Sequence, residues 1–432
     1  MAENFIPMTV AEMVEAVTEA PIPFRITAFD GSATGPEDAE YSLEVTSLEG
    51  LSYIATAPGD LGLARAYISG GLKAHGEHPG HPYELFDSLR DLYDCVRRPE
   101  AAEMVDLVRS LRHLGALRIQ PIPDVEQTSW WRKRLVQGLT RHSKERDKES
   151  VSAHYDISNE FYELFLGDSM TYTCAYYPSP EATLEEAQEN KYRLIFEKLR
   201  LKSGDTLLDV GCGWGGMVRY AARRGVKAIG VTLSQEQYEW GRDKIAAEGL
   251  QDLAEVRCMD YRDVAESGFD GISAIGILEH IGVDNYSLYF GSLHEKLKPG
   301  GRMLNHCITY PDNNPRKAGA FIDRYIFPDG ELSGSGTVQK HMQDAGFEVL
   351  HAENLRFDYQ RTLHQWCVNL KQNWEAAVQL AGEPTARLWG LYMAGSEWGF
   401  EHNVVQLHQV LGVKLLEDGS RGDLPERMWW SV

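Results

Sequence analysis

The chain has 432 residues, 43% of them apolar, 10% aromatic and 25% charged, with a formal charge of −21. That length predicts two or three domains with ample apolar material for a core, and the composition excludes a disulfide miniprotein, a fibrous chain and a disordered one. The acidic balance argues against nucleic acid as a partner, because phosphate binding needs clustered Lys and Arg. No run of 18 apolar residues occurs, and MAENFIPMTVAEM lacks the basic and apolar regions of a secretory leader, so a cytoplasmic location is expected. Cys95, Cys174, Cys212, Cys258, Cys307 and Cys367 lie at least 38 residues apart without a C-x-x-C pair, the pattern of free thiols.

Residues 1–50 carry ten acids against one base, Arg25, which suits a water-facing surface. Alternating runs, YSLEV and LSYIATA, then mix with helical patterns, ELFDSLRDLYDCV and AEMVDLVRSLRHLGAL, and predict a small α+β domain over 1–120. Within it His75, His78 and His81 have H-x-x-H-x-x-H spacing, but Pro79 and two glycines make this a loop and no metal is expected. Pro121 and Pro123 end the pattern, and 121–150 reads as a linker. Its stretch WWRKRLVQGLTRHSK (130–144) holds five basic residues and no acid beside two tryptophans. Such a segment fits the headgroup level of an anionic bilayer and equally a solvated interdomain helix.

From about residue 204 strands and helices alternate. DTLLDV, KAIGV, AEVRC, FDGISAIGI and GRMLNHCI are short β-rich runs separated by helical stretches. This predicts an α/β fold with a largely parallel, doubly wound, Rossmann-like sheet and ligands at the carboxyl ends of its strands, the whole catalytic domain spanning 151–432. Beyond about residue 313 the pattern is helix-rich, as lid-like insertions would be.

The first of these strands runs into Asp209-Val-Gly-Cys-Gly-Trp-Gly-Gly216, in which Gly211, Gly213 and Gly216 satisfy G-x-G-x-x-G. Glycine belongs where a turn is tight and backbone must approach a ligand. A dinucleotide site would add an acid about 20 residues on, at the end of the second strand, yet that neighbourhood reads Ile229-Gly-Val-Thr-Leu-Ser234. Asp209 ahead of the glycines, with Asp260 and Tyr261 after the third strand, instead resembles motif I and its partners in class I S-adenosylmethionine (SAM) methyltransferases. An aspartate at a strand end also caps helices, so Asp260 has two open roles.

Four segments carry a closer likeness: HYDISNEFYELFLGDSMTYTCAYYP (154–178), LLDVGCGWGG with GVTLSQEQ (230–237), ILEHIG (277–282) and DRYIFPDGEL (323–332). Together they resemble the cyclopropane-fatty-acyl-phospholipid synthases and the mycolic acid methyltransferases, over about residues 150–410. GDLGLARAYISGGL (59–72) is similar to the amino-terminal lipid-binding region of the longer members. The resemblance implies transfer of the SAM methyl to a cis double bond of a phospholipid acyl chain, followed by proton loss to a bound bicarbonate. It carries the bicarbonate site over as Cys174, Glu279, His306, Ile308 and Tyr359, and SAM contacts as Tyr172, Thr173, Asp209, Gly211, Gly213, Trp214, Gly215, Thr232, Ser234, Gln237, Asp260 and Tyr261. Glu279 and His306 fall at or just beyond the ends of the fourth and fifth predicted strands.

An olefin is a poor nucleophile, so catalysis needs alignment and a dry aromatic pocket that tolerates a cation; Tyr172, Tyr176, Trp214, Tyr261, Tyr325 and Phe327 are candidate walls. The product is either a cyclopropane or a methylene branch, which a separate reductase would convert to a methyl branch. The stretch 158–178 resembles actinobacterial members that make tuberculostearic-type acids. Phe400-Glu-His-Asn-Val-Val-Gln406 lacks the arginines of the family's F-R-x-R-x-I-Q-like segment. The implied partners are an unsaturated phospholipid and the inner face of an anionic membrane, with homo-oligomer formation left open. Two other classes compete, a nicotinamide oxidoreductase resting on the glycine turn alone and a noncatalytic lipid-binding protein.

Overall fold

A computed structural model describes residues 5–19, 21–126, 158–314, 319–327 and 330–430. The basic stretch 130–144 lies outside the described residues. The chain divides into two units, one holding the described parts of 1–131 with 319–325 and 367–398, the other 132–318, 326–366 and 399–432.

The first unit begins with α1 (Val10–Ala16), capped by Thr9 and Glu12 in a reciprocal box. A four-stranded sheet follows in the order β2 (Ala33–Thr34), β1 (Arg25–Ala28), β3 (Ser42–Val45), β4 (Leu72–His75). LSYIATA is helical rather than extended: all but its last residue lies in α2 (Leu48–Thr56), started by Ser47, whose hydroxyl accepts from Gly50 N at 3.1 Å. Helices α3 (Asp60–Ile68), α4 (Glu84–Cys95) and α5 (Ala101–Leu114) follow, the last closed by Gly115 at φ 82°.

Segments from far along the sequence complete this unit, unlike the contiguous division expected. Buried Glu126 accepts two bonds from Arg65, at 2.6 and 2.7 Å, and is also met by Arg324 and by Tyr325 Oη at 2.7 Å. Trp398 Nε1 donates to Asp87 at 2.7 Å, and His81 pairs with Glu397 at 2.8 Å. The side chains of the three histidines take separate partners, since His75, at the end of β4, pairs with Glu44 and His78 Nδ1 accepts from Gly80 N.

The second unit starts with α6 (Asn159–Leu166) and α7 (Leu184–Lys198). Its seven-stranded sheet has the order β10 (Phe347–Asn354), β11 (Gln406–Lys414), β9 (Leu297–Thr309), β8 (Phe269–Ile275), β5 (Thr206–Val210), β6 (Lys227–Thr232), β7 (Ala254–Cys258). The five expected strands pair in parallel, and β11 joins β9 and β10 antiparallel. Helices α8 (Gly216–Ala222), α9 (Gln235–Ala247), α10 (Tyr286–Lys296) and α11 (Ser335–Asp344) connect them. The chain steps outward from β5 to β7 and then returns to β8 on the other side, so the switch point where a doubly wound sheet binds its ligand lies between β5 and β8. Tyr289, Phe290, Leu293 and Met303 belong to the core that packs there with β8, which is buried throughout.

Strands β10 and β11 lie in a region expected to be helical. The helix α12 (Arg356–Gln372) follows β10. At the end of the 383–401 helix Arg356 donates to the carbonyls of Phe400 and Glu401, both at 2.8 Å. A cation from elsewhere thus satisfies that helix end. Among the described residues no helix is long and apolar enough to cross a membrane.

Candidate active site

Strand β5 ends in the glycine turn, where Gly211, Gly213 and Gly215 have φ of 70°, 53° and 79°. A side chain at Gly211 would strike Ile277 at 2.9 Å, whereas one at Gly213 would enter open space. The open space is a cleft walled by this turn, by Met170–Thr173, by the ends of β6 and β7 and by Ile275–Ile277. Of the expected SAM contacts, Tyr172, Thr173, Asp209, Gly211, Gly213, Trp214, Thr232, Gln237, Asp260 and Tyr261 line it. Gly215 and Ser234 do not. Gly215 is the left-handed cap of α8, with room for a Cβ only 3.2 Å from Val256, and Ser234 caps α9 by accepting from Gln237 N at 3.3 Å.

Most polar side chains of the cleft are held by internal partners. Asp209 accepts from Ser273 at 2.6 Å, and burial pushes its carboxyl up to about 7 despite that bond and nearby Lys191. Thr232 Oγ1 donates to Gln237 Oε1 at 2.6 Å. Asp260 lines the cleft and caps the following turn, accepting from Arg262 N at 2.8 Å and from its guanidinium at 2.6 and 2.7 Å. Trp214 donates to Asn159 at 2.9 Å, and its ring packs on Tyr162 at 5.3 Å.

Of the candidate aromatic walls, Tyr172, Trp214 and Tyr261 face the cleft. Tyr325 belongs to the first unit through Glu126, Phe327 packs on His280 at 5.5 Å, and Tyr176 is buried outside the lining.

The five remaining candidates are not among the lining residues; they gather around the paired ends of β9 and β11. Glu279 follows β8 in a short 3-10 turn, and its Oε1 accepts from Ile308 N at 2.7 Å. Burial lifts its carboxyl to about 7, against the lowering effect of that backbone bond. His306 sits three residues inside β9 rather than at its end, opposite Gln409 of β11. Ile308 pairs with Leu407, whose carbonyl accepts from Leu355 N at 2.9 Å. The Leu355 carbonyl in turn receives Tyr359 N at 3.1 Å and the Cys174 thiol at 3.9 Å. Cys174 is wholly buried, its thiol held well above the ordinary range by desolvation.

Two atoms in this group are exceptional. Glu279 Oε2 and His306 Nε2 are buried and have no partner among the described residues. Native proteins leave few such atoms, and each calls for a ligand or an explanation. Desolvation, reinforced by Lys191 and Lys198, drives His306 well below its usual pKa, so it is neutral. Sequence reasoning missed both lysines and Gln409. Lys191 and Lys198 are fully buried, seven residues apart on one face of α7, and Lys191 Nζ donates to Thr173 Oγ1 at 2.7 Å. Burial lowers that amine to about 7. The heptad spacing was the available signal, but lysines in a helix ordinarily read as solvated.

The family model "Mycolic acid cyclopropane synthetase" matches residues 142–410. The chain belongs to that family. It is 56% identical to a probable fatty acid methyltransferase of Mycobacterium tuberculosis over 98% of both chains. It is 30% identical to the tuberculostearic acid methyltransferase UfaA1 of the same organism, over 91% of this chain and 88% of that one. Among solved structures, mycolic acid cyclopropane synthase CmaA1 complexed with SAH and CTAB matches with a TM-score of 0.58 at 32% identity, covering 62% of this chain and 98% of that one. This family member is a SAM-dependent methyltransferase acting on lipids, and the nicotinamide reading of its glycine turn lapses.

Proposed function

We propose that the enzyme adds a one-carbon unit across the cis double bond of an unsaturated acyl chain carried by a phospholipid, and that Cys174, Glu279, His306, Ile308 and Tyr359 form a bicarbonate site. The observation that carries the second part is the pair of unpartnered buried atoms, Glu279 Oε2 and His306 Nε2. Bicarbonate fits this set, because its oxygens can accept from an imidazole N–H and its hydroxyl can donate to a carboxylate. When bound, SAM supplies an electrophilic methyl group and bicarbonate a base for proton removal.

The protein's own contribution is shape and dryness. Gly213 leaves backbone exposed to the cofactor. Tyr172, Trp214 and Tyr261 exclude water and offer π faces to a cationic acyl chain, which would otherwise be trapped by hydration. Support for a lipid substrate also comes from the first unit, where a cavity of about 250 Å³ is walled by Leu63, Leu85, Phe86, Leu89, Leu391 and Trp398.

Gain of a methyl and loss of a proton leave a net CH₂, as a ring or as a methylene branch. The likeness to the tuberculostearic acid methyltransferase across most of both chains favours the branch, which a separate reductase would then saturate. Incubation with SAM and a monounsaturated phospholipid, followed by mass spectrometry of the fatty esters, should show one added CH₂. Proton NMR of the product should show exocyclic vinyl signals, and upfield ring-methylene signals would reverse the branch assignment. No mass gain would overturn the substrate.

Peripheral contact with an anionic bilayer through 130–144 belongs to the same reading. Replacing Arg132, Lys133 and Arg134 by Gln should weaken co-sedimentation with anionic liposomes, and so should salt, since exposed charges are screened beyond about 8 Å at physiological ionic strength. Undiminished binding of the triple variant would reduce the segment to a linker.

A further inference from the structure

His306 could serve its site either as a base, through a bare Nε2, or as a donor, through Nε2–H. Its surroundings decide between the two. Gln409, wholly buried on β11, sets Nε2 of its amide 3.2 Å from His306 Nδ1 and Oε1 of the same amide 2.7 Å from Lys198 Nζ. Amide oxygen and nitrogen are assigned from their partners, and here the partner is unambiguous. An ammonium has three donors and no acceptor, so it must face the amide oxygen. Lys198 also pairs with Glu353, which opposes the loss of its charge on burial. The NH₂ group therefore turns to His306 Nδ1, and Nδ1 must accept. A neutral imidazole with an accepting Nδ1 carries its one proton on Nε2, the atom without a partner.

We infer that Lys198 and Gln409 are positioning residues that lock His306 as the Nε2–H tautomer, so that it presents a hydrogen-bond donor, not a base, to an anion held beside Glu279. The identity of that anion rests on the bicarbonate site proposed above, but the tautomer does not. Were the amide reversed, its NH₂ would meet the ammonium donor to donor, and a buried cation would lose a bond. The same relay explains why a lysine is tolerated with no exposed side-chain surface: its charge is spent on Glu353 and on orienting one amide.

The test reads the proton directly. Protein labelled with ¹⁵N-histidine, free of SAM and bicarbonate, is examined by long-range ¹H–¹⁵N NMR, with His306 assigned by difference against His306→Gln. Nδ1 should appear unprotonated and Nε2 protonated. Gln409→Glu places an acceptor opposite Nδ1 and should move a proton onto it. Lys198→Met should mix the tautomers, and Lys198→Arg, which keeps a cationic donor, should restore the parental pattern. Calorimetric SAM binding serves as the control for folding. Turnover should fall about 100-fold or more in Gln409→Glu, the scale of one lost preorganised hydrogen-bond donor. A protonated Nδ1 in the parent, or an unprotonated one in Gln409→Glu, overturns the inference, and an unchanged pattern in Lys198→Met overturns the part given to Lys198. Adding ¹³C-bicarbonate to the parent then tests the anion separately: a shifted His306 Nε2–H supports bicarbonate as the ligand, and an unmoved one removes it while leaving the tautomer standing.

Discussion

The glycine cleft and the His306 site lie in one unit and treat polarity in opposite ways. In the cleft, Asp209, Trp214, Thr232 and Asp260 each hold an internal partner, so the wall is polar yet largely closed on itself. Around Glu279 and His306 two buried atoms have no partner among the described residues, each at a cost on the order of 1–3 kcal/mol. A wall whose side chains bond one another recognises a large ligand by backbone shape and aromatic surface. A site with open buried atoms suits one small polar group. Cofactor affinity should therefore follow the backbone of the first region, and chemistry the side chains of the second.

The most severe test of that division removes the open atoms. Glu279→Gln or His306→Ala should lower turnover about 10²–10³-fold, the range of one lost preorganised hydrogen-bonding group, while calorimetric SAM affinity changes by less than about threefold. Equal losses of both would merge the two regions into one. Next in size, Gly213→Val puts bulk into the cleft and should abolish calorimetric SAM binding, a loss of at least about 100-fold or 2.8 kcal/mol. The left-handed φ of 53° adds a strain of roughly 1–2 kcal/mol, so the circular dichroism spectrum should stay native-like. Retained affinity would remove the cofactor from this turn.

The open site should also be visible in stability. Burial raises the Glu279 carboxyl from 4.5 to about 7, so the folded state keeps its proton longer than the unfolded chain does. The associated stability is complete below about pH 4.5 and is lost as pH rises towards 7. Glu279→Gln cannot ionise. Its stability relative to the parent should therefore improve between pH 4 and pH 8, by on the order of 3 kcal/mol, as read from denaturant midpoints. A pH-independent difference would mean that Glu279 is better solvated than its surroundings indicate.

The same contrast explains what could be read from the sequence. The five parallel strands announce themselves as apolar runs, and the glycine turn is legible because backbone geometry demands that residue type at fixed offsets. Strand β11 escaped because His408 and Gln409 are polar and buried, which spoils the apolar pattern; the partners that allow it, Thr309 and Lys198, lie 99 and 211 residues away. LSYIATA looked extended because its β-branched and aromatic residues outweigh a single capping serine. The motif likeness delivered Glu279 and His306, but no local signal points to the amide and lysine behind them, since those contacts exist only once the sheet has assembled.

The smallest expected effect falls on Asp260, where cap and ligand readings coexist. Its carboxylate is engaged by Arg262 through a backbone and two side-chain bonds, and Arg262 also lies 5.5 Å from the Tyr261 ring. If Asp260 serves only the turn, Asp260→Ala removes the ion pair and the backbone cap, Arg262→Ala the ion pair alone, and both should weaken SAM binding only slightly. If the carboxylate also meets the cofactor, the two variants must differ. Arg262 is part-exposed, so its ion pair contributes about 0–1 kcal/mol and its loss should cost less than about fivefold in affinity. A hydrogen bond to an ionised group is stronger, about 1.5–3 kcal/mol, so Asp260→Ala should cost tenfold or more. Small losses in both variants would assign Asp260 to the turn alone, and the cleft would then bind its cofactor with no contribution from a carboxylate at that strand end.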